Sequence, residues 1–366
     1  MTLKTNGFVP EGRGGHEAVL LKNTIYFMGG SRAIPNASPF KNFIRGYNLS
    51  NEVFYLDLTS SFSTTSPPYV DLTGTPSRLP YGNEKDYLIR TLGTALIGGP
   101  SNDEILLVGG VQQDLTLLDQ IDHNSTISSN QTLMINSYLN TWNSTNQTIF
   151  IYRPTARIWM TPGSVATFGA PQIRRRSTST VIVNGVIYIF GGRAQTDTDS
   201  PTFICFNDLF TYDTILSRWG KINAANVPTP RSHSAAVLLP DARILYIGGV
   251  SQTNPGEPGT PIDMKEIQVF DTVSSSWSSK QAIFESTFIQ PRSGHTANLA
   301  PDNKSIIIIG GSSSYVLNES TAKPVLVLLD ISKEPYTYSE LKKAQQVEIG
   351  ILFNSTNSST KMFVIC

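Results

Sequence analysis

Seven arginines recur in similar settings along this chain, and their guanidinium groups are its most chemically specific feature. Arg32 and Arg193 stand just after a pair of glycines, and Arg13, Arg90, Arg176, Arg231 and Arg292 stand just before runs of β-forming residues. A guanidinium is a rigid fork of donors that matches a carboxylate bidentately. Several of them on one surface would hold acidic groups. A residue tied to a repeated setting also has a second use, pairing with an acid of the neighbouring unit.

Other chemistries find fewer residues. The histidines are His16, His123, His233 and His295. His16 and His295 share one slot before a strand, and His233 lies one position off it, so fold geometry explains all three. His123 sits in a long polar stretch with no histidine neighbour. Cys205 and Cys366 are too far apart for a disulfide framework or a zinc spacing. Cys205 lies in the apolar run Thr202-Phe-Ile-Cys-Phe206, where a buried structural thiol is expected. There is no glycine-rich phosphate loop followed by lysine, no His-x-x-x-His pair and no Gly-x-Ser-x-Gly elbow. Asp103-Glu104 and Asp197 with Asp199 read as solvated turn residues. No catalytic residue, metal site or cofactor is expected.

The elements that must position the arginines are repeats. Apolar, largely β-branched runs end in a glycine pair at Gly29-Gly30, Gly109-Gly110, Gly191-Gly192, Gly248-Gly249 and Gly310-Gly311. Such runs, bounded by Gly, Pro, Asn and Ser, read as strands. Each pair marks a strand end that needs positive φ or a close approach which a side chain would block. Downstream comes an apolar run, an Asp and then an aromatic. Asp57 precedes Phe62, Asp213 precedes Trp219, Asp271 precedes Trp277 and Asp330 precedes Tyr336; in the second unit Arg153 replaces the acid before Trp159. Each aromatic is expected to pack between neighbouring sheets.

This co-occurrence resembles the kelch repeat of β-propellers, over about residues 8–340. The fold class expected is all-β, a kelch-type β-propeller forming one domain over 1–366. Five full repeats over about 8–340 and a partial sixth over 341–366 give six blades with the last incomplete, and a truncated chain is the favoured explanation. Segments 31–51 and 111–148 read as long loop insertions. The pieces Asn51-Glu-Val-Phe-Tyr-Leu-Asp-Leu58 and Ile262-Asp-Met-Lys-Glu-Ile-Gln-Val-Phe-Asp-Thr272 look most like fungal kelch-repeat proteins.

The resemblance implies that loops after the glycine pairs and turns before the first strands open on one face around a central channel. It therefore brings all seven arginines together, with Tyr47, Tyr81 and Tyr315 as nearby aromatic surface. The resulting reading is a non-catalytic scaffold holding a protein or acidic peptide ligand, monomeric, with no cofactor. Two alternatives come with the fold. One is an extracellular carbohydrate-binding surface protein. The other is a galactose-oxidase-like copper enzyme, which would need two His, two Tyr and a Cys crosslinked to one Tyr. Fold alone does not license that activity.

Lys plus Arg equals Asp plus Glu at 28 each, which argues against a nucleic-acid partner. No stretch reaches the ~20 apolar residues of a membrane span. Residues 1–7 have no signal-peptide core. Glycosylation sequons nevertheless stand at Asn36, Asn48, Asn124, Asn130, Asn143, Asn146, Asn303, Asn318, Asn354 and Asn357. They tilt the expected location towards secretion or the cell surface.

Overall fold

The computed structural model describes residues 8–10, 13–32, 48–50, 52–60, 67–73, 90–112, 149–162, 169–171, 178–195, 202–313 and 322–340. Blade 1 comprises β1 (Arg13–Gly14), β2 (Glu17–Leu21), β3 (Thr24–Met28), β4 (Ser31–Arg32), β5 (Asn48–Leu49), β6 (Val53–Asp57) and β7 (Val70–Asp71). Blade 2 comprises β8 (Arg90–Gly98), β9 (Glu104–Gln112), β10 (Ile149–Arg153) and β11 (Ile158–Met160). Blade 3 runs through β12 (Ser179–Val183), β13 (Val186–Phe190), β14 (Arg193–Gln195), β15 (Phe203–Cys205), β16 (Leu209–Asp213) and β17 (Arg218–Ile222). Blade 4 contains β18 (Arg231–Ser232), β19 (Ala235–Leu238), β20 (Arg243–Ile247), β21 (Val250–Ser251), β22 (Thr260–Pro261), β23 (Glu266–Asp271) and β24 (Ser276–Phe284). Blade 5 is β25 (Thr296–Leu299), β26 (Ser305–Ile309), β27 (Leu326–Asp330) and β28 (Tyr336–Glu340).

Each blade is a four-stranded antiparallel meander, as in β2-β3-β6-β7 or β12-β13-β16-β17. The innermost strands pack in chain order, β2 on β8, β8 on β12, β12 on β19 and β19 on β25. All five line one central channel of about 150 Å³. The architecture is the expected all-β propeller. The partial sixth repeat at 341–366 lies outside the described residues, as does most of the insertions at 31–51 and 111–148. The ends of those insertions are strand, with β4 and β5 in the first and the last residues of β9 in the second.

The core lies between blades. A propeller sheet is covered on both faces, so its strands are continuous apolar runs rather than alternating ones. In β20, Leu245 and Ile247 face blade 5 while Ile244 and Tyr246 face blade 3, and all four have no exposed surface. Of the aromatics expected at the joints, Trp159, Trp219, Trp277 and Tyr336 pack there, and Phe62 lies outside the described residues. Trp159 joins Val19 and Met28 of blade 1, Trp219 joins Leu96 and Leu106 of blade 2, and Trp277 packs at a tilt against Phe190 of blade 3, 4.7 Å between ring centroids. Burial of side chains this large dominates the stabilisation of each joint.

The acid at the end of each third strand shapes the turn. Asp213 Oδ1 accepts the amides of Ile215 and Leu216, and Asp271 Oδ1 accepts those of Val273 and Ser274. Asp57 and Asp330 do the same with Thr59 and Ser332. These are side-chain mimics of a backbone turn. Where Arg153 replaces the acid, it instead pairs with Glu104 at 2.6 Å. Glu104 is consequently buried, which corrects its reading as a solvated turn residue.

Candidate ligand-binding face

Beyond each glycine pair the chain continues into a short ribbon, separate from the blade sheet in blades 1, 3 and 4 and continuous with it in blade 2. Arg13 pairs with Arg32 across β1 and β4, Arg90 with Gln112 across β8 and β9, and Arg231 with Ser251 across β18 and β21. Blade 5 has the same feature as a single bridge, Ser293 with Ser312. In blade 3 the ribbon is β14 with β15, and Arg193 pairs with Cys205. Because every ribbon follows the end of a second strand, all of them open at one end of the propeller. Arg13, Arg32, Arg90, Arg193, Arg231 and Arg292 belong to that end. Arg176, Tyr47, Tyr81 and Tyr315 lie outside the described residues.

The glycine pairs allow this geometry. All ten glycines have positive φ, from 59° at Gly248 to 98° at Gly30. The close approach is also present, since a Cβ on Gly191 would stand 2.5 Å from the Arg231 carbonyl oxygen. The Gly192 amide donates to that same carbonyl at 2.9 Å, and the Gly249 amide donates to the Arg292 carbonyl at 2.8 Å. The arginine backbone before one blade is therefore the acceptor that locks the previous blade to it.

The arginine side chains divide into two kinds. Arg231 is 1% exposed; its Nε donates to Thr229 O, and its Nη2 to Thr229 Oγ1 and to Glu266 at 3.3 Å. Arg292 is fully buried and donates to the carbonyls of Gln290, Gly310 and Pro324. Burial pushes both guanidinium groups below their ordinary value, and Glu266 partly offsets this for Arg231. Arg193 differs. It is half-buried and its guanidinium lies over the Phe203 ring, 5.0 Å from the centroid.

The joint of blades 3 and 4 is closely tied on this face. The Cys205 amide donates to Gln252 Oε1 at 3.0 Å, and the Gly256 amide donates to Phe203 O at 3.0 Å. Cys205 is buried, its thiol pushed up by that burial, and its Sγ lies 3.6 Å from Ser232 Oγ. A structural thiol in an apolar strand was the expectation.

The histidines sit in separate settings. His16 precedes β2 in blade 1, His233 lies between β18 and β19 in blade 4, and His295 precedes β25 in blade 5. His233 has φ of 58°, the conformation that Gly15 and Gly294 adopt in blades 1 and 5. Its offset in sequence is thus a histidine in a glycine slot. His295 Cε1 packs where a Gly248 Cβ would be, at 2.8 Å. Among the described residues, no three His, Cys, Asp or Glu side chains are grouped to hold a metal. His123 is not among them. Among the same residues, no helix is long and apolar enough to cross a membrane. Of the sequons, Asn48 falls in β5 and Asn303 in an exposed turn at φ 56°, and the others lie outside the described residues.

Known proteins are similar to parts of this chain. "Acyl-CoA-binding domain-containing protein 4" of Arabidopsis thaliana is 28% identical over 184 residues, 49% of this chain and 25% of that protein. "Acyl-CoA-binding domain-containing protein 5" of the same plant is 30% identical over 161 residues, 42% of this chain and 22% of that protein. "Dynein alpha chain, flagellar outer arm" of Chlamydomonas reinhardtii is 26% identical over 161 residues, 44% of this chain and 3% of that protein. The aligned parts thus span a quarter or less of these relatives' length. None of the three is fungal, and the fungal resemblance gains no support from them. The solved "Structure of YjhT" superposes with a TM-score of 0.58 at 14% identity, covering 90% of this chain and 84% of that one, which is a likeness of fold. The family model described as the KLHDC2/KLHL20/DRC7 Kelch-repeats domain matches residues 122–362, well over half of the sequence, and the chain belongs to that kelch-repeat family.

Proposed function

We propose that this chain is a non-catalytic recognition module that holds an acidic segment of a partner protein on its ribbon face. A kelch-repeat domain is consistent with a protein-interaction scaffold. The observation that carries the finer reading is Arg193 over Phe203. A cation–π contact restrains the guanidinium, so less freedom is lost when a carboxylate binds. Arg13 and Arg32 stand at partner positions of the blade 1 ribbon and are further candidates for this role. Arg231 and Arg292 contribute to the joints instead, through their carbonyls and their internal hydrogen bonds. Arg90 and Arg176 remain candidates of the same face.

An array of Asp- and Glu-rich peptides printed beside their Asn and Gln counterparts tests the reading. Acidic peptides are expected to bind and to weaken with salt. For the strongest of them, Arg193→Ala is expected to lower affinity about tenfold or more, the loss of a charge-assisted pair. Equal binding of the Asn and Gln counterparts would overturn it.

A further inference from the structure

Blade 5 buries only one of its two faces. Ile306, Ile308, Val327, Leu329 and Tyr338 are sealed against blade 4 with no exposed surface. On the other face, Ile307 pairs with Leu328 and Ile309 with Leu326 across β26 and β27. Those four form a contiguous apolar patch, yet Leu326 is 37% exposed and the other three are only partly covered. Blades 2, 3 and 4 bury apolar residues on both faces. Blade 1 does so too, with Ile25, Phe27, Phe54 and Leu56 sealed on the face away from blade 2. An apolar sheet face of this kind is a docking surface for something.

We propose that residues 341–366 of this same chain occupy it as a two-stranded half-blade. The chain leaves β28, the last strand of blade 5, at Glu340, beside β27, which carries half of the open patch. Beyond Glu340 the sequence holds two apolar runs, Ile349-Gly-Ile-Leu-Phe353 and Met362-Phe-Val-Ile365, separated by the polar run Asn354-Ser-Thr-Asn-Ser-Ser-Thr360. Runs of this length match the five residues each of β26 and β27. They are β-branched and aromatic and carry no charge, as strands covered on a face are. The polar run supplies turn residues between them. The tether is short, so the effective concentration of this segment at the face far exceeds that of a second molecule.

Hydrogen exchange followed by mass spectrometry on the full chain tests this. Peptides covering 348–354 and 361–366 are expected to exchange about a hundredfold slower than unstructured chain or more. Leu328→Asp, which puts a charge on the open face, is expected to abolish that protection while blade 2 peptides stay unchanged. Exchange at the unstructured rate in the parent chain overturns the proposal. So does protection that survives Leu328→Asp with blade 2 intact. Protection that disappears on dilution, together with a dimer in sedimentation, assigns the face to a second copy and also overturns it. If Leu328→Asp unfolds the protein, Leu326→Lys at the rim is used, with the same outcomes.

Discussion

The amide of Gly249 donates to the carbonyl of Arg292 across the joint of blades 4 and 5, at 2.8 Å. Gly192 and Arg231 repeat the bond one joint earlier, at 2.9 Å. The glycine pair and the arginine of the next unit are therefore one device: the second glycine's amide donates to the carbonyl, and the first glycine's missing Cβ admits it.

Glycine substitutions should separate the two requirements. Gly191 has φ of 63° and a carbonyl at 2.5 Å from its would-be Cβ, whereas Gly310 has φ of 68° and nothing within 4 Å. Gly310→Ala is expected to lose about 1–2 kcal/mol, the cost of left-handed backbone for an L-residue. Gly191→Ala is expected to lose more, because the joint must also move. Urea denaturation measures both, and equal losses would show that close approach contributes nothing.

Arg292 and Arg193 should behave oppositely. Removing the Arg292 side chain leaves the Gly310 and Pro324 carbonyls without that donor inside the protein. Arg292→Ala is expected to lose about 2–4 kcal/mol. Arg193→Ala is expected to change stability by less than about 1 kcal/mol and to act on binding. Thermal unfolding of the two variants decides whether the arginines divide in this way.

Acid should unlock the joint of blades 4 and 5. Burial first, and then the Arg292 charge, push His295 from its ordinary 6.5 down to about 3. The unfolded chain therefore binds this proton at a higher pH than the folded one. The contribution is fully present above pH 6.5 and is lost as pH falls from there towards 3. The slope approaches about 1.4 kcal/mol per pH unit for one proton. His295→Gln is expected to flatten the stability profile below pH 6.5 by up to that amount, measured by denaturation across the range.

Blades 4 and 5 should open together. β24 runs past its own blade and pairs in parallel with β28, Ala282 with Tyr336, Ile283 with Thr337 and Phe284 with Tyr338. The two blades thus form one eight-stranded sheet. Hydrogen exchange is expected to show one opening free energy for both. Ile283→Pro, at a half-exposed position, is expected to give them separate ones.

Much of the fold was legible in the sequence because the repeat encodes its own joints. The glycine pairs, Trp159, Trp219 and Trp277, and the turn acids each predict a local geometry that the blades display. The two uses of arginine were not legible. Arg193 follows a glycine pair and Arg231 precedes a strand, but both settings were read as one binding face, and only the positions of Phe203 and Glu266 tell a guanidinium over a ring from a buried one. The partner of Glu104 lies in a strand 49 positions away, so pattern alone read it as solvated. The β24–β28 pairing depends on how far two outer strands run, which local propensity does not encode.

The most direct test of the recognition face is a chemical-shift titration of the isotope-labelled chain with an acidic peptide from the array. The account predicts shifts confined to the ribbons, at Ser31–Arg32, Arg193–Cys205 and Val250–Pro261. Shifts centred on the turns at the opposite end, around Ile215, Val273 and Asn303, would contradict it.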